Sequence, residues 1–304
     1  MTMKKTMMMM MAVAAAMMCG CEKPVLDETE DGNASVENEN DGENGDGEKQ
    51  TKKFTFTVKG DFGAATFTRG YLQADGKDMT DLWVFDFING ECVQNVHQTS
   101  GDADWGKPSM ALTYGQHHVY FVASRGDDAS VNATDHIITW GTIRDTFWKD
   151  YEVNVVATSN GNRAVTLDRV ATKLRVVVED EVPASCKTVE VTPNMWYYGL
   201  DYVSGAAVSA QKKAVSVAVP ESLVGTVGQL AVNVFGISEA NEWTTSVALD
   251  AKDGDGGSVG HATISGAPFK RNRATEYSGS LFASGGVLDV GVNSEWENSV
   301  VGTW

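Results

Sequence analysis

The side chains best suited to chemistry are a histidine pair and an aspartate-glycine stretch, and neither has the spacing of a complete site. His117 and His118 are adjacent, so on a strand they point to opposite faces and cannot together hold one metal ion. The run Asp253–Gly257 lacks the later Glu and the ligand spacing of an EF-hand, which favours a turn. No Gly-x-Ser-x-Gly elbow presents a serine nucleophile. The sequence therefore predicts no enzyme, no metal and no other cofactor.

The densest aromatic group is the best candidate for a binding surface. It consists of Trp196, Tyr197, Tyr198 and Tyr202. Exposed rings of this kind can stack on sugar rings, but the same side chains are equally suited to a core or to covering a strand edge. Core packing or a strand-edge cover is the favoured interpretation, and the binding surface stays open as the alternative.

The N-terminal segment predicts export. Two lysines precede the apolar run Met7–Met18, which is the pattern of a secretory signal peptide and is shorter than the roughly 20 residues that span a bilayer. The residues behind it resemble the lipobox of bacterial lipoproteins, in which a small residue precedes the modified cysteine. That resemblance implies a signal peptide of residues 1–20, cleavage between Gly20 and Cys21, and lipid on Cys21, with Cys19 as the weaker alternative. Several acyl chains on one residue hold a protein stably to a membrane.

Residues 21–53 form an acidic tether. The tract consists mainly of Asp, Glu, Asn and Gly and belongs to a chain of net charge −17, so it cannot bury apolar surface and is expected to be disordered. An acidic run behind a lipidated cysteine also resembles the signal that sends lipoproteins to the outer leaflet of the outer membrane, which implies surface display. A plain solvated spacer is the compatible alternative. Nucleic-acid binding is disfavoured, because the sequence has no Lys/Arg cluster to follow a phosphate backbone.

The body of the chain has a β pattern. Phe54, Phe56 and Val58 alternate with polar residues, as in a strand with one buried face, and Asn89-Gly90 is a strong hairpin-turn dipeptide. Similar runs at regular spacing predict an all-β fold of sandwiches rather than a parallel sheet. The predicted strands are Phe54–Val58, Trp83–Phe87, Val119–Ala123, Val153–Ala157, Leu174–Val178, Val215–Val219, Leu230–Ile237, Thr245–Leu249 and Val287–Val292.

About 250 residues follow the tether, more than one all-β domain usually needs. We therefore expect two domains, residues 54–166 and 167–304, joined near Leu167. Aromatic and apolar residues at helical spacing predict one short helix between Asp135 and Asp150. The two cysteines of the body, Cys92 and Cys186, are expected to be free buried thiols, with a disulfide between them as the alternative.

Several of these features together resemble the type V pilins, the fimbrillin superfamily, and within it the FimB-type anchor and minor subunits. They are the lipobox, the acidic tether, Phe67–Gly70 at the end of the first strand pattern, the strand Leu82–Phe87 before an Asn-Gly turn, and the passage Asp168–Val176. The resemblance covers nearly the whole chain. It implies two tandem transthyretin-like β-sandwich domains, in agreement with the strand pattern.

The family resemblance also implies assembly by strand exchange. A trypsin-like or arginine-specific protease removes the first strand of a subunit, and a strand of the next subunit fills the groove through main-chain hydrogen bonds and alternate side chains. In this sequence the removable strand would be Phe54–Thr68, and the cleaved bond would join Arg69 to Gly70. An ordinary surface arginine is the alternative, because anchor subunits need not be cleaved.

The short tail Asn293–Trp304 favours a subunit at one end of a fibre. The predicted function is a structural subunit (anchor, minor or tip) of an adhesive fimbria attached to the outer membrane. Its expected partners are other fimbrial subunits, the outer membrane through the N-terminal lipid, and host or bacterial surface ligands. The alternative is a surface glycan-binding lipoprotein of a nutrient-uptake system, for which a fixed aromatic platform is expected.

Overall fold

The computed structural model describes residues 50–60, 79–125, 128–283 and 288–291. These residues form strands joined by turns and short loops, together with one three-residue 3₁₀ helix, Glu221–Leu223. The predicted all-β fold class is therefore confirmed. No helix among the described residues is long and apolar enough to span a membrane.

Nineteen strands lie in the described part of the chain. In chain order they are β1 (Thr51–Gly60), β2 (Asp81–Ile88), β3 (Glu91–Thr99), β4 (Ser109–Thr113), β5 (Gly115–Ser124), β6 (Ala129–Asn132), β7 (Ile137–Trp140), β8 (Phe147–Val155), β9 (Asn162–Arg169), β10 (Ala171–Val178), β11 (Thr188–Pro193), β12 (Trp196–Asp201), β13 (Ala207–Gln211), β14 (Val215–Ala218), β15 (Leu230–Ile237), β16 (Trp243–Lys252), β17 (Ser258–Phe269), β18 (Ala274–Gly279) and β19 (Leu288–Gly291).

The N-terminal half of the fold is one path of seven strands in the order β3-β2-β5-β8-β9-β1-β4. Between β8 and β9 only Phe147 with Arg169 and Trp148 with Asp168 are paired, so the path bends there. Buried side chains from β1, β4 and β9 share one core with side chains from β2, β5 and β8. The two parts of the path therefore face each other as the layers of a sandwich.

The C-terminal half has two further sheets, of eight strands (β19-β18-β10-β15-β12-β7-β6, with β13 on β12) and of four strands (β14-β11-β16-β17). Alternate residues of their strands face a second core. Along β16, for example, Thr245, Val247, Leu249 and Ala251 are buried between more exposed neighbours. This period of two is the signature of a strand with one covered face.

Strand β2 belongs to both cores, which explains its nearly unbroken apolar sequence. Leu82 and Val84 face the first core, whereas Trp83, Phe85 and Phe87 face the second. Because side chains alternate between the faces of a strand, burial of both faces requires an apolar residue at almost every position. The ring of Phe85 stacks on Tyr202 with 4.0 Å between centroids. The described residues accordingly cluster as one compact unit.

The turn at Asn89-Gly90 follows the prediction, because both residues have positive φ, 52° and 83°, and β2 and β3 pair directly across it. Positive φ at both central residues defines the type I′ hairpin turn.

The predicted helix between Asp135 and Asp150 is wrong: β7 and the start of β8 occupy this segment. Two short strands joined by a loop reproduced the helical spacing of buried residues, and Ile137, Ile138 and Thr139 are β-branched residues that favour a strand.

The division into two domains stays a prediction. Leu167 lies inside β9 and is buried, and β9 and β10 are separated by the single residue Val170. The hairpin of β6 and β7 precedes this point in sequence, yet it pairs with β12 in the eight-stranded sheet. A hairpin that precedes the expected join therefore completes a sheet of the C-terminal half. Both cysteines of the body are free as predicted, but Cys92 is exposed rather than buried.

Candidate functional site

The first strand is the best candidate for a functional element, because it is inserted between two others. Residues 51–55 of β1 pair antiparallel with β4, from Thr51 with Thr113 to Thr55 with Ser109. Residues 55–60 pair parallel with β9, from Thr55 with Asn162 to Gly60 with Leu167. The amides of Phe56 and Val58 donate hydrogen bonds across the loop before β4, to the carbonyl oxygens of residues 108 and 106 (3.0 and 2.9 Å). Strand β1 is thus held on both sides and is not a sheet edge.

Alternate side chains of β1 enter the first core, as the sequence predicts. Phe54 and Phe56 are fully buried. The ring of Phe56 lies edge-on to Phe121 and Tyr151, with centroid distances of 5.2 and 5.9 Å. The guanidinium of Arg163 lies 5.4 Å from the centroid of the Phe54 ring. Edge-on aromatic pairs and cation–π contacts add to the burial of apolar area, so these rings fix the strand in its groove.

The entry of β1 depends on a close approach of two backbones. The amide of Thr55 donates to the carbonyl oxygen of Gly161 at 2.7 Å. A Cβ atom on Gly161 would lie 2.3 Å from the carbonyl oxygen of Lys53, which no side chain could tolerate. The glycine therefore lets β1 and the start of β9 come together.

Without β1, the chain would retain an apolar groove between β4 and β9. Met110 and Leu112 of β4 and Val165 and Leu167 of β9 are at most 2% exposed and belong to the same core as the two phenylalanines. The hydrogen-bonding groups of both flanking strands would also lose their partners. A groove with open strand edges and apolar pockets at alternate positions is the type of site that binds an added strand.

The predicted processing and lipid sites lie outside the described residues. This applies to Gly20 and Cys21, to the bond between Arg69 and Gly70, and to the tail after β19. The predicted tether ends at residue 53, whereas β1 already begins at Thr51. These site predictions stay predictions.

The aromatic group does not form an exposed platform. Trp196, Tyr198 and Tyr202 are at most 1% exposed, and only Tyr197 is half-buried, with its ring edge-on to Trp243 at 5.3 Å. The indole nitrogen of Trp196 donates to the carbonyl oxygen of Phe235 at 2.8 Å. Core packing, the favoured interpretation, is therefore confirmed for three of the four residues, and the alternative of a binding surface is wrong for those three because their rings are buried in the second core.

The two histidines point to opposite faces, as predicted. His117 is buried, with Nδ1 2.7 Å from an Asp86 carboxylate oxygen and Nε2 2.9 Å from the carbonyl oxygen of Thr113. Burial is the main cause that raises the pKa of Asp86, and the contact with His117 opposes it. These hydrogen bonds occupy both ring nitrogens of His117, so His117 and Asp86 form a buried polar contact within the sheet.

The ring of His118 lies near two carboxylates, an arrangement that the sequence did not predict. Nδ1 lies 3.1 Å from an Asp150 oxygen, and Glu152 is paired directly opposite His118 on β8. One ligand atom from each residue falls within 4.8 Å of the others, and all three side chains are partly or fully exposed. Sequence spacing could not find this group, because β5 and β8 become neighbours only through sheet pairing.

The Asp253–Gly257 stretch is a turn between β16 and β17, as predicted. Asp253 Oδ1 accepts hydrogen bonds from the amides of Asp255 and Gly257 at 3.0 and 2.7 Å. Aspartate commonly caps a turn in this way.

A cleft of about 500 Å³ is a feature that the sequence gave no reason to expect. We define it by the residues that form its walls: β14 and the loop after it, β15, Lys173 of β10, Tyr198 of β12, and the segment Thr142–Arg144 with Arg125. Its volume is within the range of small-molecule sites. Its walls come from sequence-distant strands, so no motif could mark it.

The described residues form an all-β scaffold, and no recognisable catalytic constellation lies among them. Residues 128–303, more than half of the chain, match the profile of the family of unknown function DUF6562. The chain belongs to that family. No curated protein sequence matches it.

Solved structures share the fold at low sequence identity. A candidate adhesin from Bacteroides ovatus matches at 10% identity with a TM-score of 0.51, covering 82% of this chain and 95% of its own. A candidate polysaccharide-binding protein (DUF1812) from Bacteroides thetaiotaomicron matches at 11% identity with a TM-score of 0.52, covering 82% and 98%. The fimbrial anchor protein Mfa2 from Porphyromonas gingivalis matches at 11% identity with a TM-score of 0.46, covering 83% and 100%. At these identities, the two matches with TM-scores above 0.5 show a shared fold alone.

Proposed function

We propose that this chain is a structural subunit of an adhesive fimbria, held to the outer membrane by lipid on Cys21. The observation that carries the proposal is the insertion of β1, whose two phenylalanines fill a groove between β4 and β9. The shared fold with a candidate adhesin supports it.

The chemistry of this groove supports strand exchange as the mode of assembly. Cleavage after Arg69 would leave β1 bound only by main-chain hydrogen bonds and by the burial of its side chains. A strand from a neighbouring subunit would satisfy the same backbone groups and would need apolar residues at the positions of Phe54 and Phe56. In an uncleaved anchor, β1 would instead stay in place and connect the body to its lipid.

The processing step is tested by mass spectrometry of cell-surface material from the natural host. A peptide that begins at Gly70 is the expected product, and an Arg69→Ala variant should lose it together with the boiling-sensitive high-mass ladder on a gel. An Arg125→Ala variant is the matched control, because it removes an arginine downstream of the predicted cut. An intact lipidated species with no Gly70 start in the unaltered chain would refute processing.

The membrane attachment has a separate test. A Cys21→Ser variant should leave the envelope fraction and appear as unmodified protein, because one missing acceptor removes every acyl chain at once. Cys19→Ser is the control and should remain membrane-bound. Retention of the Cys21→Ser protein in the envelope would contradict the anchor.

The glycan-binding lipoprotein is the second candidate, and the fold shared with a candidate polysaccharide-binding protein favours it. The aromatic platform expected for that function is buried, which favours the fimbrial subunit. Absence of high-mass ladders, together with retention of glycans by intact cells, would reverse the order of the two.

A further inference from the structure

The cleft lies where residues of both halves of the chain meet. Val215–Ala218 of β14 form one wall, and Leu230–Phe235 of β15 contribute most of another. Strand β14 is the edge of its four-stranded sheet. Strands β12 and β15 are paired only at Tyr197 with Ile237, so the eight-stranded sheet opens beside the cleft. The cleft is therefore a consequence of how the two sheets separate.

The charge of the cleft is opposite to that of the chain. Arg125, Arg144 and Lys173 line it, and none of the described lining residues is Asp or Glu, although the chain carries a net charge of −17. Asp145 follows Arg144 in sequence, but its carboxylate accepts a hydrogen bond from the Arg169 guanidinium, with Nε 2.9 Å from Oδ1. Lys173 also interacts with the Asp145 carboxylate, so Arg125 and Arg144 are the cations that would attract an anion. In a concave site they do so more strongly than on an open surface.

Two polar atoms in the walls have no hydrogen-bond partner among the described residues: the hydroxyl of Tyr198 and Oδ1 of Asn233. Tyr198 is 1% exposed. Burial raises the pKa of Tyr198, and a protonated tyrosine hydroxyl can donate a hydrogen bond. Buried polar atoms are normally paired, and orphaned ones mark strain or a missing ligand. One donor and one acceptor are thus available to a ligand that has hydroxyl groups.

The rest of the lining is apolar. Val217, Leu223 and Val234 contribute hydrophobic surface next to the polar atoms. A sugar ring offers C–H faces to such a surface and hydroxyls to the donor and the acceptor, whereas an acyl chain would leave Tyr198 and Asn233 without partners. A carboxylate on the sugar would meet the arginines, whose planar guanidinium groups suit carboxylate oxygens.

We propose that this cleft binds an acidic sugar, a carboxylate-bearing unit such as a hexuronic acid, through Arg125 and Arg144 at the carboxylate and Tyr198 and Asn233 at the hydroxyls. Binding here is independent of strand exchange, because no residue of β1 lines the cleft.

The test compares two probes that differ only in the carboxylate. Isothermal titration calorimetry with the full chain in detergent would use galacturonic acid oligosaccharides and the matching neutral galactose oligosaccharides. The acidic probe should bind at least about tenfold more tightly at low salt and lose affinity as salt is added. Equal affinity for both probes, or no heat with either, would overturn the proposal.

Matched variants locate the site. Arg144→Gln should weaken binding of the acidic probe about tenfold, since it removes a charge-assisted hydrogen bond. Lys107→Gln removes one exposed charge outside the cleft and should leave the affinity unchanged. Tyr198→Phe deletes only the hydroxyl and should weaken binding roughly fivefold, while Tyr197→Phe, on the same strand, should have no effect.

Thermal unfolding of each variant confirms that the protein is folded during the titration. Acidic-probe binding that survives both Arg144→Gln and Tyr198→Phe would also overturn the proposal. Neither result depends on whether the chain assembles into fibres.

Discussion

Replacement of Phe56 by alanine tests whether β1 belongs to the native fold of the isolated chain. The side chain is fully buried and touches Phe121 and Tyr151 edge-on. Truncation of a buried phenylalanine costs about 3–5 kcal/mol, from lost burial and from the cavity that remains. Domains have a total stability of about 5–15 kcal/mol, so the change would remove a large fraction of the free energy of unfolding.

Urea unfolding followed by tryptophan fluorescence measures this loss. With a slope of about 3 kcal/mol per molar, the midpoint of Phe56→Ala should fall by roughly 1–2 M. Thr57→Ala is the control, because Thr57 is the exposed neighbour on the same strand and should change the free energy by no more than about 0.5 kcal/mol. A Phe56→Ala midpoint as high as that of Thr57→Ala would refute the placement of β1 in its groove.

Two further predictions concern the second core. A Cβ atom on Gly236 would lie 2.5 Å from the buried indole of Trp196, so Gly236→Ala should lower the free energy of unfolding by about 1–3 kcal/mol. Gly254→Ala is the control, because a Cβ atom there has no neighbour within 4 Å. It should leave the midpoint of the same urea titration nearly unchanged. Burial raises the pKa of Tyr277 from 10 to about 12, so the folded state resists ionisation that the unfolded state accepts. The contribution of Tyr277 to the free energy of unfolding is therefore fully present below pH 10. It falls by roughly 3 kcal/mol as the pH rises to 12. Tyr277→Phe should flatten that part of a stability-against-pH curve, and an unchanged slope would show that Tyr277 is not the group responsible.

Local alternation was enough to find many of the strands. The predicted strand Leu230–Ile237 has the bounds of β15, and Asn89-Gly90 forms the expected turn. These segments can be predicted from sequence because an alternating or continuous apolar run next to a turn dipeptide has few other stable conformations. Strands rich in small or polar residues, such as β13 (Ala207–Gln211), carry too little hydrophobic pattern to be recognised.

The candidate sites were much harder to predict from the sequence than the fold. The groove around β1 could be anticipated only through the family resemblance, because alternation of Phe54 and Phe56 predicts a strand but not its neighbours. His118 and Glu152 are brought together by sheet pairing, and the cleft unites Arg125 with Asn233. Contacts between residues so distant in sequence depend on topology, which no local pattern encodes.

The two proposed activities use different parts of the packing. Phe54 and Phe56 of β1 are buried in the first core, whereas the walls of the cleft belong mainly to strands of the second core, among them Tyr198 and Val234. Exchange of β1 would replace side chains in the first core and would remove no wall of the cleft. A subunit could therefore exchange its first strand and still hold a ligand, so the affinity for an acidic sugar should be the same before and after assembly.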